Sequence, residues 1–593
     1  MMKFKLFTQT GNFHLFILLV LALGLNFNTL QNEYALDDYV VLTQNKYVQK
    51  GVAGIPEILG NDLMTGTTDK NLLNQSRYRP FSLIIFALEH QFFGDNPVIS
   101  HLINVLLFAL LIVLLYRLLS KYLFREYPVY FSFFTCLLFV THPIHTEVIA
   151  NVKSRDELIA FLLLALSLIT FLSYSTKRSG FYLAVALTTF FFALLTRESA
   201  VTFVLIFPLA LFFFYKRGLF NAIKESFPFL IVLAIYLALR FSIVSTTKPL
   251  LTDILNAPFL FATAAQAFAT KIYILLLYIG ILIFPSPLSC DYSFNQIPYI
   301  EPGSFQFIAS IITLGALLYF AYSLYKKNPI LSFSILFFFI TISIASNLLV
   351  DIGTPFSERL LFQSSLAFCI ALGAGFSKLY NKSKPITLIL LAGILSAYSA
   401  KTILRNSDWK NNETLFLKDA ESAPNSARTT WAACEIYRTR AEKEPDELLK
   451  NQYLDKSITY GEKCIRIYPG YATAYISLGF PYYYKGNFDK AAELWKKSYQ
   501  LDSISPQARI CLNVLSKDYF YRGNLLTENG HTKEAIMNYS KATDLNPQNT
   551  EAWYFLGGLQ YLDGDSVTAE KSWQRVKQLD PQHPLNLDFF LTR

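Results

Sequence analysis

The sequence predicts an all-α chain in two parts, a polytopic helical membrane domain followed by an α-solenoid of short helical repeats. Three observations carry that prediction. Hydrophobic residues make up 53% of the 593 positions and charged residues 16%, with 53 Phe and 36 Tyr, more aromatic surface than a soluble domain buries. Apolar stretches near the roughly 20 residues that a bilayer core requires recur up to Lys401. Beyond Lys401 the hydropathy collapses and a repeat period takes over.

The first apolar stretch, Phe13 to Leu30, follows Lys3 and Lys5 and has no small-residue cleavage site, so it reads as a retained signal anchor with a cytoplasmic N-terminus. Asp37 and Asp38 then emerge on the outer side. Further stretches fall at about 98–118, 128–141, 158–175, 181–196, 199–215, 227–245, 305–325, 329–347, 361–377 and 385–403. The stretch 257–285 reads either as a tight hairpin or as an interfacial or re-entrant segment, giving eleven or thirteen spans. The net charge of +9 points to no nucleic acid, because much of the excess lies in short loops: Lys121 and Arg125, Lys177-Arg178, Lys216-Arg217, Lys326-Lys327, and Lys378 with Lys382 and Lys384. Such clusters mark cytoplasmic loops. The loops 31–97, 142–157, the Thr196-Arg197-Glu198 turn, 285–304 and 348–360 are then outside, with the C-terminal segment. Six cysteines show neither a disulfide framework nor zinc spacing.

After the last span, Ile467-Tyr468-Pro469 and Leu501-Asp502-Ser503 lie 34 residues apart, as do Leu545-Asn546-Pro547 and Leu579-Asp580-Pro581. That is the tetratricopeptide period. Leu478-Gly479 and Ala491-Ala492 align with Leu556-Gly557 and Ala569 at helix-turn-helix offsets. The domains predicted are therefore 1–405, multi-span, and 406–593, about four repeats with a capping tail from Pro581 to Arg593. A repeat array binds a partner more often than it catalyses, so the chemistry belongs in the outer loops.

Those loops are rich in ionisable residues directly against hydrocarbon, where charge is costly and functional by default. Arg77 and Arg79 follow the acidic pair and suit a phosphate, because a guanidinium presents a planar fork of donors. The second outer loop carries His142, His145, Glu147, Arg155 and Asp156. On a helix from Pro143, His145 and Glu147 occupy different stripes, so they need not converge on one ion; a divalent metal stays open, and no cofactor is otherwise assigned. Arg197-Glu198 sits between two apolar runs, Asp291 lies in the loop after Pro287, and Glu358-Arg359 precedes a span.

Leu36-Asp37-Asp38, Tyr78-Arg79-Pro80, His142-Pro143-Ile144-His145-Thr146-Glu147 with Arg155-Asp156, Pro287-Leu288-Ser289 with Asp291-Tyr292-Ser293, Glu358-Arg359-Leu360-Leu361, and Arg405-Asn406 with Trp409 before the repeats together resemble the transmembrane and tetratricopeptide-repeat O-mannosyltransferases. That family is a branch of the GT-C glycosyltransferases, which take a sugar from a polyprenyl-phosphate carrier. The resemblance implies a GT-C-like membrane domain and transfer to Ser or Thr of a protein on the extracytoplasmic side, with inversion at the sugar carbon. It implies Asp37 and Asp38 as the catalytic pair. On that footing Asp38 is the expected base and Asp37 its orienting partner. Arg79, with Arg155 or Arg359, offsets the departing phosphate, while His142, His145 and Glu147 hold the sugar. The repeats bind the protein acceptor. The Lys, Asn, Phe and Ile-rich composition looks bacterial, so the membrane expected is a bacterial inner membrane, or endoplasmic reticulum in a eukaryote. A lipid-linked oligosaccharide ligase or polymerase is the enzymatic rival, although such enzymes rely on late-loop Arg and His. A non-catalytic membrane scaffold would not need these charges at bilayer depth, and a transporter would show broken half-helices in matching halves.

Reporter fusions at Ser426 and at Lys327 should report opposite sides of the membrane, with Ser426 outside. The same side for both would break the parity on which the outer loops rest.

Overall fold

The computed structural model describes residues 2–67, 77–244 and 253–585, with side chains from Gly11 onward. Residues 586–593, the end of the expected capping tail, lie outside the described residues. The chain divides into two compact units, Met1–Pro424 and Asn425–Arg593, and no strand forms among the described residues.

The first unit runs through α1 (Met2–Leu25), α2 (Pro80–Phe93), α3 (Pro97–Arg117), α4 (Val129–Thr141), α5 (Arg155–Lys177), α6 (Gly180–Thr196), α7 (Phe203–Phe214), α8 (Leu219–Ile243), α9 (Ala264–Ile283), α10 (Phe305–Leu324), α11 (Pro329–Ile342), α12 (Ser365–Lys382), α13 (Lys384–Asp408) and α14 (Asn412–Ser422). Local chemistry sets many of these limits. Pro80, Pro97 and Pro329 each open a helix, where a missing N–H costs nothing. The Asn96 side chain accepts from the amides of Val98 and Ile99, and α2 stops at Gly94, whose φ of +63° suits glycine.

This unit is that of a multi-pass membrane protein. Seven helices are long and apolar enough to cross a bilayer, or eight if the pair Val129–Thr141 and Pro143–Ala150, bent by 53°, counts as one span. The expected spans at 181–196, 199–215 and 329–347 form the shorter apolar helices Gly180–Thr196, Glu198–Phe214 and Pro329–Ile342, and 361–377 falls largely in α12. The stretch 257–285 is not a hairpin of two spans, because α9 is one continuous helix started by a Thr263–Gln266 capping box. Although α9 is apolar enough to cross, loop residues hold it along its length. Gln266 donates to Glu301 at 2.8 Å, Lys271 pairs with Asp351 at 2.7 Å, the Ile300 amide donates to Thr270, the Ser357 amide donates to Tyr278, and the Leu282 carbonyl lies 3.0 Å from His142 Nε2.

Packing between the apolar helices is aromatic and close. The rings of Phe207 and Phe229 stack at 3.7 Å, with Phe171 and Phe190 set edge-on. A Cβ on Gly373 of α12 would come within 2.4 Å of Thr135 Oγ1 on α4, the small-residue approach that lets membrane helices pack without a hydrophobic drive. The segment after α13 also belongs to this unit. Arg405 donates to both carboxylate oxygens of Asp419 at 2.6 and 3.1 Å, and Asp419 also accepts the Cys290 amide at 2.6 Å.

The second unit is four helix pairs: α15 (Ala427–Lys443) with α16 (Glu447–Ile467), α17 (Ala472–Tyr484) with α18 (Phe488–Leu501), α19 (Pro506–Glu528) with α20 (Thr532–Leu545), and α21 (Thr550–Leu562) with α22 (Ser566–Leu579). The repeat signature has a steric cause. Gly479, Gly523 and Gly557 each lie where a Cβ would meet the ring of Trp495, Tyr539 or Trp573, so glycine lets the paired helices cross. The two indoles donate to the carbonyls of Ile476 and Tyr554, the same contact in two repeats.

Asp419→Ala leaves the enclosed Arg405 guanidinium without its main partner, a loss of about 3–5 kcal/mol for a broken buried pair. Thermal unfolding of the full-length protein in detergent should show a large drop in Tm. A chain ending at Arg405 shares that defect and should unfold more readily than one ending at Pro424; equal Tm values would contradict the role given to Asp419.

Candidate active site

Asp37 and Asp38, adjacent in sequence, occupy opposite environments. The turn before them puts Leu36 at a φ of +51°, costly for a branched side chain. Asp38 is 0% exposed. Its Oδ2 accepts the Ala35 amide at 3.1 Å and its Oδ1 the Lys153 amide at 2.6 Å. Burial pushes its pKa up to about 7, against the lowering effect of those N–H bonds. The Asp37 side chain is 42% exposed, and its Oδ2 stands 3.5 Å from Arg359 Nη1 and 3.9 Å from Lys153 Nζ.

Beneath Asp37 lies an enclosed ion network. The Lys153 side chain, 4% exposed, reaches Asp156 at 3.8 Å. Asp156 takes Arg79 on one oxygen at 2.7 Å and Arg197 on the other at 2.9 Å. Arg197 also pairs with Glu157 at 2.7 Å, and Arg79 spends its remaining face on Glu198 at 2.8 Å. On the other flank, Glu147 accepts the Arg359 amide at 2.9 Å and pairs with its guanidinium at 3.3 Å. Four short segments thus converge: the start of α2, the 142–157 loop with the start of α5, the α6–α7 turn and the 357–361 turn. Each carries its ions at a helix end, so the apolar helices keep their hydrocarbon faces.

Several residues singled out from the sequence are engaged elsewhere. Arg155 precedes Asp156 by one position and therefore points about 100° away on the helix. It is wholly buried against Glu89, the Ser100 carbonyl and Asn104 Oδ1, with Phe86 under its guanidinium, so it braces α2, α3 and α5 and has no fork left for phosphate. His142 bonds the Leu282 carbonyl and caps Ile144, while His145 sits among Phe139, Phe362 and Phe108 and bonds Ser365. Both rings are enclosed and neither joins the ion network. The Asp291 carboxylate accepts the Ser293 amide in a local turn. Glu358 accepts the Ser289 amide and the Tyr292 hydroxyl, and burial raises its pKa to about 8, so it joins two loops. Among the described residues no ion pair engages the half-buried Arg77 guanidinium, whose backbone is held by Asp62 and Leu63. Burial and the neighbouring Arg79 lower its pKa to about 10, and it stays charged at neutral pH.

Lys153 and Glu157, part of the acid–base cluster that the sequence places in the second outer loop without a role for either, also join the network. Among the described residues no three His, Cys, Asp or Glu converge as a metal site, and the carboxylates of the network already face cations.

The family model described as TPR repeat matches residues 523–564. Human protein O-mannosyl-transferase TMTC3 is 26% identical over 94% of this chain and 67% of its own length. Human protein O-mannosyl-transferase TMTC1 is 24% identical over 76% of this chain and 54% of its own, and human protein O-mannosyl-transferase TMTC4 is 26% identical over 67% and 60%. The chain thus spans between about half and two thirds of the length of these relatives. The crystal structure of MamA protein matches with a TM-score of 0.19 at 16% identity, over 30% of this chain and 85% of that one, too low a score to add to the fold.

Asp38 titrates at about 7 in the fold against 3.8 in a free chain. A raised carboxyl pKa gives stability that is complete below the unfolded value and fades as pH climbs to the folded one. The Tm advantage of wild type over Asp38→Asn in detergent should therefore be larger at pH 5 than at pH 8. An advantage that grows with pH would contradict the burial of Asp38.

Proposed function

We propose that this relative of the transmembrane and tetratricopeptide-repeat O-mannosyltransferases transfers a sugar, mannose by that kinship, from a polyprenyl-phosphate carrier to a Ser or Thr hydroxyl of a protein. The observation that carries the reading is one accessible carboxylate, Asp37, flanked by Arg359 and Lys153 above a buried ion network at helix ends.

Accessibility favours Asp37 over Asp38 as the base, because both Asp38 oxygens are taken by backbone amides. Asp37 accepts the proton of the acceptor hydroxyl as its oxygen attacks the anomeric carbon. The bond from that carbon to the phosphate oxygen breaks, the phosphate leaves with the electron pair, and single displacement inverts the carbon. The phosphate charge falls to Arg359, Lys153 and Arg77. Arg79 and Arg197 instead support the floor, since their donors already meet Asp156, Glu157 and Glu198. Glu147 orients Arg359. Asp38 holds the Asp37 turn against the Lys153 backbone.

The outer side is supported by the helices themselves. Asp156 opens α5 and Lys177 closes it, about 30 Å apart at 1.5 Å per residue. The Lys177-Arg178 cluster thus lies a bilayer away from the network, as expected for an extracytoplasmic site. The loop contacts of α9 favour a helix lying along that surface, which keeps eleven crossings. In the second unit, a groove lined by Tyr475, Leu478, Tyr482, Lys490 and Lys497 is a suitable seat for an extended acceptor segment.

Full-length Asp37→Asn should insert normally, keep its Tm and lose transfer from labelled polyprenyl-phosphate mannose to a Ser/Thr acceptor by about 10²–10⁴-fold, the usual worth of a general base. Wild-type turnover in Asp37→Asn would remove Asp37 from the chemistry.

A further inference from the structure

The strap that leaves the last apolar helix is bonded to the loop that carries the acidic pair. Trp409 is fully buried in a small cluster with Ala35, Ala150 and Leu415, and Leu36 and Cys290 pack against it. The Lys410 carbonyl accepts the Glu33 amide at 2.8 Å. Two residues on, Asn412 Oδ1 accepts the Leu36 amide at 2.7 Å. Asn411 caps α14 with Thr414 in a capping box, which sets the position of Asn412 at the first turn. The amide it holds belongs to Leu36, the residue at φ +51° immediately before Asp37. A left-handed leucine persists only where its surroundings over-determine it, and Asn412 is the side chain on its N–H.

We propose that Asn412 is a positioning residue for the acidic pair: its side-chain oxygen holds the left-handed Leu36 turn that turns Asp37 toward Arg359 and Lys153 and Asp38 into the protein. This rests on the functional reading above, in which Asp37 is the base. Asn412 touches neither substrate nor Asp37. Its effect is on the geometry of attack, where a displacement of about 1 Å costs on the order of 10²-fold. An Asp at 412 retains the acceptor oxygen and suits the N-terminal turn of α14, whereas Ala retains neither.

Two readouts on the full-length protein in lipid nanodiscs separate this proposal from the reading on which it rests. Hydrogen exchange of residues 33–40 requires no substrate. Asn412→Ala should exchange there about tenfold faster or more, and Asn412→Asp at the wild-type rate; wild-type exchange in Asn412→Ala overturns the proposal. In transfer from polyprenyl-phosphate mannose, Asn412→Ala should lower kcat about 10–100-fold with KM for the donor within about twofold, and Asn412→Asp should recover most of kcat. Equal damage in the Ala and Asp variants, or none in Ala, overturns the proposal. A wild-type protein that transfers nothing overturns the functional reading instead, and the exchange comparison still decides the role of Asn412.

Discussion

The site depends on the carboxylate of Asp156. Placed at the first turn of α5, it receives Arg79 from the start of α2, Arg197 from the α6–α7 turn and Lys153 from its own loop, so one side chain joins three parts of the chain at the end of the apolar bundle. Such a group is expensive to bury alone and strongly coupled to its partners. Without Asp156, Arg197 would be left with Glu157 and Arg79 with Glu198, and Lys153 would lose the carboxylate beneath it. The arrangement also restricts what can change nearby: neither α5 nor the turn holding Arg197 can shift without breaking the Arg197 pairs to Asp156 and Glu157.

From that floor the division between the two aspartates follows. Lys153 meets Asp156 and Asp37 through its ammonium and Asp38 through its amide, so the acidic pair is tied to the network through one residue. The buried carboxylate accepts one backbone N–H on each oxygen. The other stays accessible beside Arg359 and Lys153. Two adjacent acids thus sit in different surroundings, one enclosed and one accessible.

Much of this was legible in the amino-acid sequence, and the limits have physical causes. Composition and hydropathy report burial in lipid directly, so the helical membrane unit was readable. The repeats were readable because Gly479 and Gly557 answer a steric demand that recurs with the period. The resemblance to the O-mannosyltransferases rested on ordered motifs and extends over most of the chain in the relatives. Less legible was the direction of individual side chains. Nothing in Arg155-Asp156 says that one faces the network and the other faces Glu89; that follows from helix phase and from partners far away in the chain. The partners of His142 and His145, the Leu282 carbonyl and Ser365, are likewise far away in the chain. The bond from Asn412 to Leu36 spans 376 positions, and no local pattern announces it.

The central claim is that these charges receive a lipid phosphate at a membrane surface and release a sugar to a hydroxyl. The most direct measurement gives purified wild-type protein in lipid a Ser/Thr acceptor and either polyprenyl-phosphate mannose or a nucleotide-linked mannose, and follows the glycosylated product and its anomeric configuration. The account predicts product from the polyprenyl donor alone, with the configuration at the sugar carbon inverted. Transfer from the nucleotide donor, or retention of configuration, would contradict it.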